Sequence, residues 1–306
     1  MKYLKFSFIF ALSLFLLSSC DNDDDPIVES NTIVDIAAGD AQFSTLVSAL
    51  QRTGLDAILN SPGNFTVFAP TNDAFDQLGV DLSTLSNDEL TDILLYHVLG
   101  ASVRSTDLQD GQTYASTASA SGPNDEQLTL LIDKDGGAVT INGSVNVSSV
   151  DIAADNGIIH VVDDVIMPLD IVGHAVANSN FSTLVSQVSS APGDLVTILS
   201  GNGPFTVFAP TNDAFSQIAD VVATLTPEQI TDVLTYHVIA GSNVRSTDLT
   251  DGAEVMMVNG QNITIDLSSG ASLIDASGNV SRIILADVQA TNGVIHVIEN
   301  VIIPSL

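Results

Sequence analysis

Apolar residues recur at steps of three and four in two early segments. Ile33, Val34, Ile36 and Ala37 form the first, and Phe43, Leu46, Val47 and Leu50 the second. This spacing predicts amphipathic helices. They lead into Thr66, Val67 and Phe68, a β-forming triplet that Pro70 stops. Thr71 is placed to cap a helix begun by Asn72, Asp73, Ala74 and Phe75. Ser86-Asn87-Asp88-Glu89 has the spacing of a capping box. The helix it opens carries Leu90, Ile93, Leu94 and His97 on its apolar face. Tyr96 turns to a neighbouring face, where its hydroxyl is expected to find a partner. Strand patterns follow. Asn142-Gly143 predicts a hairpin between Val139–Ile141 and Val145–Val150. Asp155-Asn156-Gly157 makes the next turn, and Ile158–Val162 reads as a buried strand holding His160, with Val165 and Ile166 closing the unit. Ser116–Gln127 has no period and reads as a loop. Asp133-Lys134-Asp135-Gly136 starts like a calcium loop but lacks the remaining ligands, so it reads as a turn.

The same order then runs a second time. TVFAPTNDAF stands at Thr66–Phe75 and again, letter for letter, at Thr206–Phe215. Phe181–Ser186 repeats Phe43–Ser48. Thr226-Pro227-Glu228-Gln229 repeats the capping box, with Pro at the first helical position. Ile230, Val233, Leu234 and His237 repeat the apolar face, and Asn259-Gly260 and Asn292-Gly293 mark turns. A repeat of this length means two similar units, 31–168 and 169–306. No Pro/Gly/Ser-rich linker separates them, because Pro168 leads directly into Leu169-Asp170-Ile171. A short, stiff junction is the expectation.

Three marks carry a family resemblance. TVFAPTNDAF, with Thr71, Asp73, Thr211 and Asp213, resembles the first signature of the fasciclin-type adhesion domain (FAS1). Tyr96-His97 and Tyr236-His237 resemble the family's Tyr-His pair. Asn156–Pro168 and Asn292–Pro304, with His160 and His296, resemble the second signature. The resemblance implies an α+β fold: two tandem FAS1 domains, each a wedge or sandwich of β-sheet with helices packed on it. It implies surface recognition rather than chemistry.

The N-terminus reads as a targeting segment over 1–19. Lys2 and Lys5 precede an apolar run from Phe6 to Leu17, too short to span a bilayer comfortably. Leu17-Ser18-Ser19-Cys20 resembles a bacterial lipobox, which would put a lipid on Cys20. The alternative is a free thiol left by an ordinary leader. Cys20 is the chain's single cysteine, so no internal disulfide forms. The acidic run Asp21–Asp25 within 20–30 reads as a solvated tether. It resembles a surface-export tag, with inner-membrane retention as the alternative. The expected location is the bacterial cell envelope, lipid-anchored and outward-facing on the outer membrane.

Composition narrows the partners. The net charge is −30 although only 14% of residues are charged. Such acidity argues against nucleic acid, which needs clustered Lys and Arg, and against docking on anionic lipid. Val103–Leu108 (VRSTDL) recurs as Val244–Leu249, so Arg104 and Arg245 occupy matched places. They read either as contacts for an acidic ligand or as internal salt bridges to Asp107 and Asp248. No GxSxG, HExxH or P-loop occurs, and the chain reads as a non-enzyme. His97 with His160, and His237 with His296, offer metal-ligand types beside Asp73 or Asp213. These residues belong to the signatures, so holding the fold accounts for them, and no metal or cofactor is expected. The function read here is a lipid-anchored adhesion protein contacting cells, matrix or polysaccharide. A glycan-binding accessory of nutrient uptake and an envelope scaffold without external ligand are the alternatives. The protein or polysaccharide ligand is not identified by the sequence.

Overall fold

A computed structural model describes residues 31–306; the stretches expected to be a leader and an acidic tether, and Cys20, lie outside the described residues. The first repeat begins with α1 (Ile33–Gly39), α2 (Ser44–Thr53) and α3 (Leu55–Leu59), then β1 (Phe65–Pro70), α4 (Asn72–Gln77) and α5 (Asn87–Tyr96). Strands β2 (Val98–Leu99), β3 (Gly111–Ser116), β4 (Thr129–Asp135), β5 (Ala138–Ile141), β6 (Val145–Ala154) and β7 (Gly157–Val162) complete it. The second repeat runs α6 (Ile171–Ala177), α7 (Ser182–Ser190), α8 (Leu195–Leu199), β8 (Phe205–Pro210), α9 (Asn212–Gln217), α10 (Ala219–Val222) and α11 (Pro227–Thr235). Strands β9 (Val238–Ala240), β10 (Glu254–Met256), β11 (Asn262–Asp266), β12 (Ser272–Ile274), β13 (Val280–Ala290) and β14 (Gly293–Ile298) close it.

Each repeat builds one seven-stranded sheet, ordered β2-β1-β7-β6-β5-β4-β3 and β10-β11-β12-β13-β14-β8-β9. The signature strands sit at the centre: β1 lies parallel to β7, and β8 parallel to β14. A strand covered on both faces has no polar side to show, which is why Phe65–Pro70 is almost uniformly buried. Alternation divides its side chains between two cores. Val67 and Ala69 meet the helices, while Phe68 faces a second cluster with Tyr96, Leu130 and Ile141. The second repeat divides Val207 and Phe208 in the same way.

The wedge comes from one strand per repeat. Against β7, β6 shifts register between Val147 and Ser149 and again between Ser149 and Ile152. Asp151 there takes a left-handed φ of 62°. The same irregularity recurs in β13, with Asp287 at φ 62°. Extra residues of this kind bend a strand and sharpen its twist, so the sheet folds across β6 and encloses the second core.

Local signals gave the helix starts directly. Thr71 and Thr211 accept from Ala74 and Ala214 N–H, and both capping boxes close. The Asn142-Gly143 hairpin pairs Ile141 with Val145. Two details differ from expectation. Asp133–Asp135 is strand, the end of β4, and the turn falls one step later at Gly136 and Gly137. The loop expected over Ser116–Gln127 begins after Ser116, which closes β3. Three polar residues in a row hid the end of β4, because it pairs with β3 through backbone bonds that do not depend on side-chain type.

Gly157 and Gly293 are fixed by contact between strands. A Cβ on either would stand 2.2 Å from the carbonyl oxygen of Phe65 or Phe205. Those are their parallel-strand partners. Gly157→Ala or Gly293→Ala is therefore expected to cost about 2–3 kcal/mol. Urea unfolding of each variant tests this, and an unchanged midpoint would contradict it.

Candidate functional site

The signature histidines are bound inside the fold. His97 ends α5, buried, with its Nδ1 2.7 Å from the carbonyl of Ile93 and its Nε2 2.9 Å from the amide of Ile166. A carbonyl must receive a proton and an amide must give one, so Nδ1 carries the hydrogen and Nε2 accepts. The ring is neutral, and burial holds its pKa down at about 4. His237 repeats the arrangement with Val233 and Ile302, at 2.7 and 3.2 Å, and its pKa is likewise about 4. Each ring clasps a helix end to the segment leaving the central strand.

His160 and His296 serve other elements. His160 Nε2 donates to Val103 (2.9 Å) and Nδ1 accepts from the Asp151 amide (3.2 Å). His296 does the same with Val244 and Asp287, at 2.8 and 3.3 Å. Each lies against the signature phenylalanine, Phe68 or Phe208, with centroids 5.6 Å apart. All four rings thus spend both nitrogens on the backbone and offer no lone pair to a cation. Asp73 and Asp213 sit exposed in the first turns of their helices instead of joining the histidines.

Ser105, Asp151 and His160 gather in one place, and Ser246, Asp287 and His296 in another. The bonding is wrong for acyl transfer. Ser105 Oγ donates to the Asp151 carboxylate at 2.5 Å, and Ser246 Oγ to Asp287 at 2.5 Å. The histidine meets the aspartate's amide and leaves the serine alone, so no base activates the hydroxyl. For Asp287, burial pushes the carboxyl up. The Ser246 hydroxyl and amide, with His296 and Arg245 nearby, outweigh it and leave the pKa below the ordinary range. The cluster staples the bend in the sheet to the VRSTDL loop.

Tyr96 packs fully buried, its hydroxyl donating to Thr129 O (2.8 Å) and accepting from Asn142 Nδ2 (3.1 Å). Tyr236 reaches Asn262 O at 2.7 Å. Sequence reasoning missed a second asparagine role. Asn156 receives the amide of Ile33 (3.0 Å) and donates to Leu59 and Ser61, and Asn292 repeats this with Ile171, Leu199 and Gly201. The Asn-Gly pair signalled only a turn. Only contacts distant in sequence reveal that its amide ties the first helix to the last strand.

The repeated arginines part company. Asp107 and Asp248 accept the backbone amides of Arg104 and Arg245, both at 2.9 Å, rather than the guanidinium groups. The expected bridges to those carboxylates are therefore corrected: near carboxylates closed the loop instead. Arg245 pairs across the repeats with Glu126, and its Nε lies 3.5 Å from Asp287. It is half-buried and taken up as a contact between the domains. Arg104 is exposed and makes no ion pair among the described residues.

More groups close the seam around Arg245. Asn178 Nδ2 donates to the Tyr114 hydroxyl (3.0 Å), Asn180 Nδ2 to Gln112 Oε1 (2.9 Å), and Thr129 Oγ1 to Gln289 O (3.2 Å). His174 packs against the Tyr114 ring, 1% exposed, and neither of its nitrogens makes a hydrogen bond. Burial lowers its pKa to about 4, although Asp170 and the Gln289 backbone favour the charged form. Residues 31–306 form one compact unit.

The fasciclin domain profile matches residues 41–168 and 179–304, one match per repeat. The chain belongs to the fasciclin domain family. The FAS1 domain pair of the insect cell adhesion molecule Fasciclin I superposes with a TM-score of 0.54 at 18% identity, covering 87% of this chain and 97% of that one. This likeness establishes the two-domain α+β fold. Protein sll1483 of Synechocystis is 43% identical over 45% of this chain and 75% of its own length. Human periostin is 26% identical over 90% of this chain, which spans 31% of periostin. The fasciclin signatures here are structural: their histidines hold the domain together through backbone hydrogen bonds. The insect molecule is described as a cell adhesion molecule.

Proposed function

We propose that this fasciclin pair is an adhesion or binding module that presents two rigidly coupled domains outside the cell, with a lipid on Cys20 as its anchor. Its partners are a membrane, through that lipid, and a protein or polysaccharide ligand met by the loops. The single observation that carries the reading is the inward bonding of every signature histidine. A surface built this way recognises by loop shape and charge.

Arg104 is the first contact to test. It is an exposed cation on a chain of net charge −30, so it suits a ligand carboxylate or sulfate while the surrounding acid repels ill-fitting anions. Cells displaying the full chain are expected to attach several-fold less after Arg104→Gln, with an unchanged melting temperature. Undiminished attachment would reject Arg104 as a contact. Proteinase shaving of intact cells tests outward display, and mass measurement of the mature N-terminus tests the lipid.

A further inference from the structure

The two domains differ in one respect that their shared signatures do not require. In the second, a cavity of about 210 Å³ opens between α6, α7, α8 and β8. The cause is local. In the first repeat Gly54 alone joins α2 to α3. In the second, four residues, Ala191–Asp194, separate α7 from α8. In addition, Val188 stands where the first repeat has Leu50. Leu50 and Leu59 are 4% and 3% exposed, whereas their counterparts Val188 and Leu199 are only half-buried. The longer connection and the smaller side chain leave open in one domain a space that the other closes.

The wall has no polar function to offer. Its polar members are Ser189, Thr235 and His237. The first two donate to the carbonyls of Val185 and Thr231, each at 2.7 Å. His237 has both nitrogens engaged. No charged side chain lines the space. At its edge Val176, Ile198 and Val258 are 64%, 53% and 48% exposed, so apolar surface continues from the cavity to solvent. An apolar cavity of about 150 Å³ stays dry and binds benzene, and this one is larger.

We propose that the second domain binds one unbranched hydrocarbon chain of a lipid whose head group is uncharged or zwitterionic. The wall selects for methylenes because nothing in it pairs with a heteroatom. The open apolar edge lets a polar head remain in water while the tail enters. The strongly acidic chain disfavours a free carboxylate at the mouth. By proportion to the six carbons of benzene in about 150 Å³, the space takes roughly eight carbons.

The test uses the purified full chain, prepared without detergent, titrated with 1-hexanol, 1-octanol and 1-decanol by calorimetry and thermal shift. Saturable binding at one site is expected, tightening roughly fourfold for each methylene added up to about eight carbons and then levelling. Val188→Phe fills the space and is expected to abolish binding. Ala175→Leu narrows it from the opposite helix and decides the matter if the first variant folds poorly. Zwitterionic lysophosphatidylcholine, as a competitor for octanol, distinguishes a membrane lipid from a free alcohol as the source of the chain. Absence of saturable alkanol binding would reduce the cavity to a packing defect and overturn the proposal. So would indole binding tighter than octanol, or alkanol affinity unchanged in both filled variants.

Discussion

His97→Ala is expected to destabilise the protein by about 4 kcal/mol, and His237→Ala by a similar amount. Two losses combine. Removing a fully buried ring leaves a cavity, which for aromatic truncations costs about 3–5 kcal/mol. It also orphans the Ile166 amide, which now donates to His97 Nε2, at about 1–3 kcal/mol. Partial collapse of the site keeps the total near the cavity figure. His97→Phe separates the two, because it keeps the volume and loses only the bonds, so about 2 kcal/mol is expected. Urea unfolding followed by far-ultraviolet circular dichroism measures all three. A His97→Phe variant as stable as the parent would show that the ring acts by size alone.

Acid is expected to weaken the fold well before the carboxylates titrate. His97, His174 and His237 are buried and neutral, with pKa values of about 4. In the unfolded chain each takes a proton near pH 6.5. Between those values the unfolded state binds more protons than the folded one, so stability rises with pH and is complete above about 6.5. On falling from pH 6.5 to 4, each histidine gives up on the order of 3 kcal/mol. Asp151 and Asp287, with pKa values held low, act below this window. Their contribution is present above the unfolded carboxylate pKa, about 3.9, and is lost as pH falls through the folded one. One effect opposes the histidines. Acid relieves the self-repulsion of a chain whose pI is about 4.1. That repulsion acts between solvent-exposed charges and is screened over about 8 Å at physiological salt, whereas the histidines are dry. Urea midpoints at pH 7.5, 5.5 and 4.5 in 0.15 M salt are therefore expected to fall steeply. His174→Phe removes one titrating group that makes no hydrogen bond, so it is expected to flatten the profile without loss at pH 7.5. A flat profile for the parent would refute the account.

Much of this protein is legible in its residues taken in order. The repeat sets the number of domains. Thr71 and Ser86 fix helix starts because a cap needs only its own next three residues, and Asn142-Gly143 fixes a hairpin because a tight turn is equally local. The division of Val67, Phe68 and Ala69 between two cores follows from period two once the strand is central. The Tyr-His pair and the histidine strands were recognisable as signatures, with a core role expected of them. The sequence did not reveal which atoms they bind.

Tertiary structure decided what depends on partners far apart in the chain. Identical VRSTDL strings gave Arg104 to solvent and Arg245 to a seam with Glu126, 119 residues away. No local pattern distinguishes them, because the difference lies in which side of each domain the other covers. The bend at Asp151 and Asp287 needed a left-handed backbone braced by a distant serine. Repeats alike in signature also differ in filling, since the connection between the second and third helices is four residues in one and a single glycine in the other, while every motif stays in place. Short-range bonding wrote the elements into the sequence, while long-range packing determined which surfaces remain open for recognition.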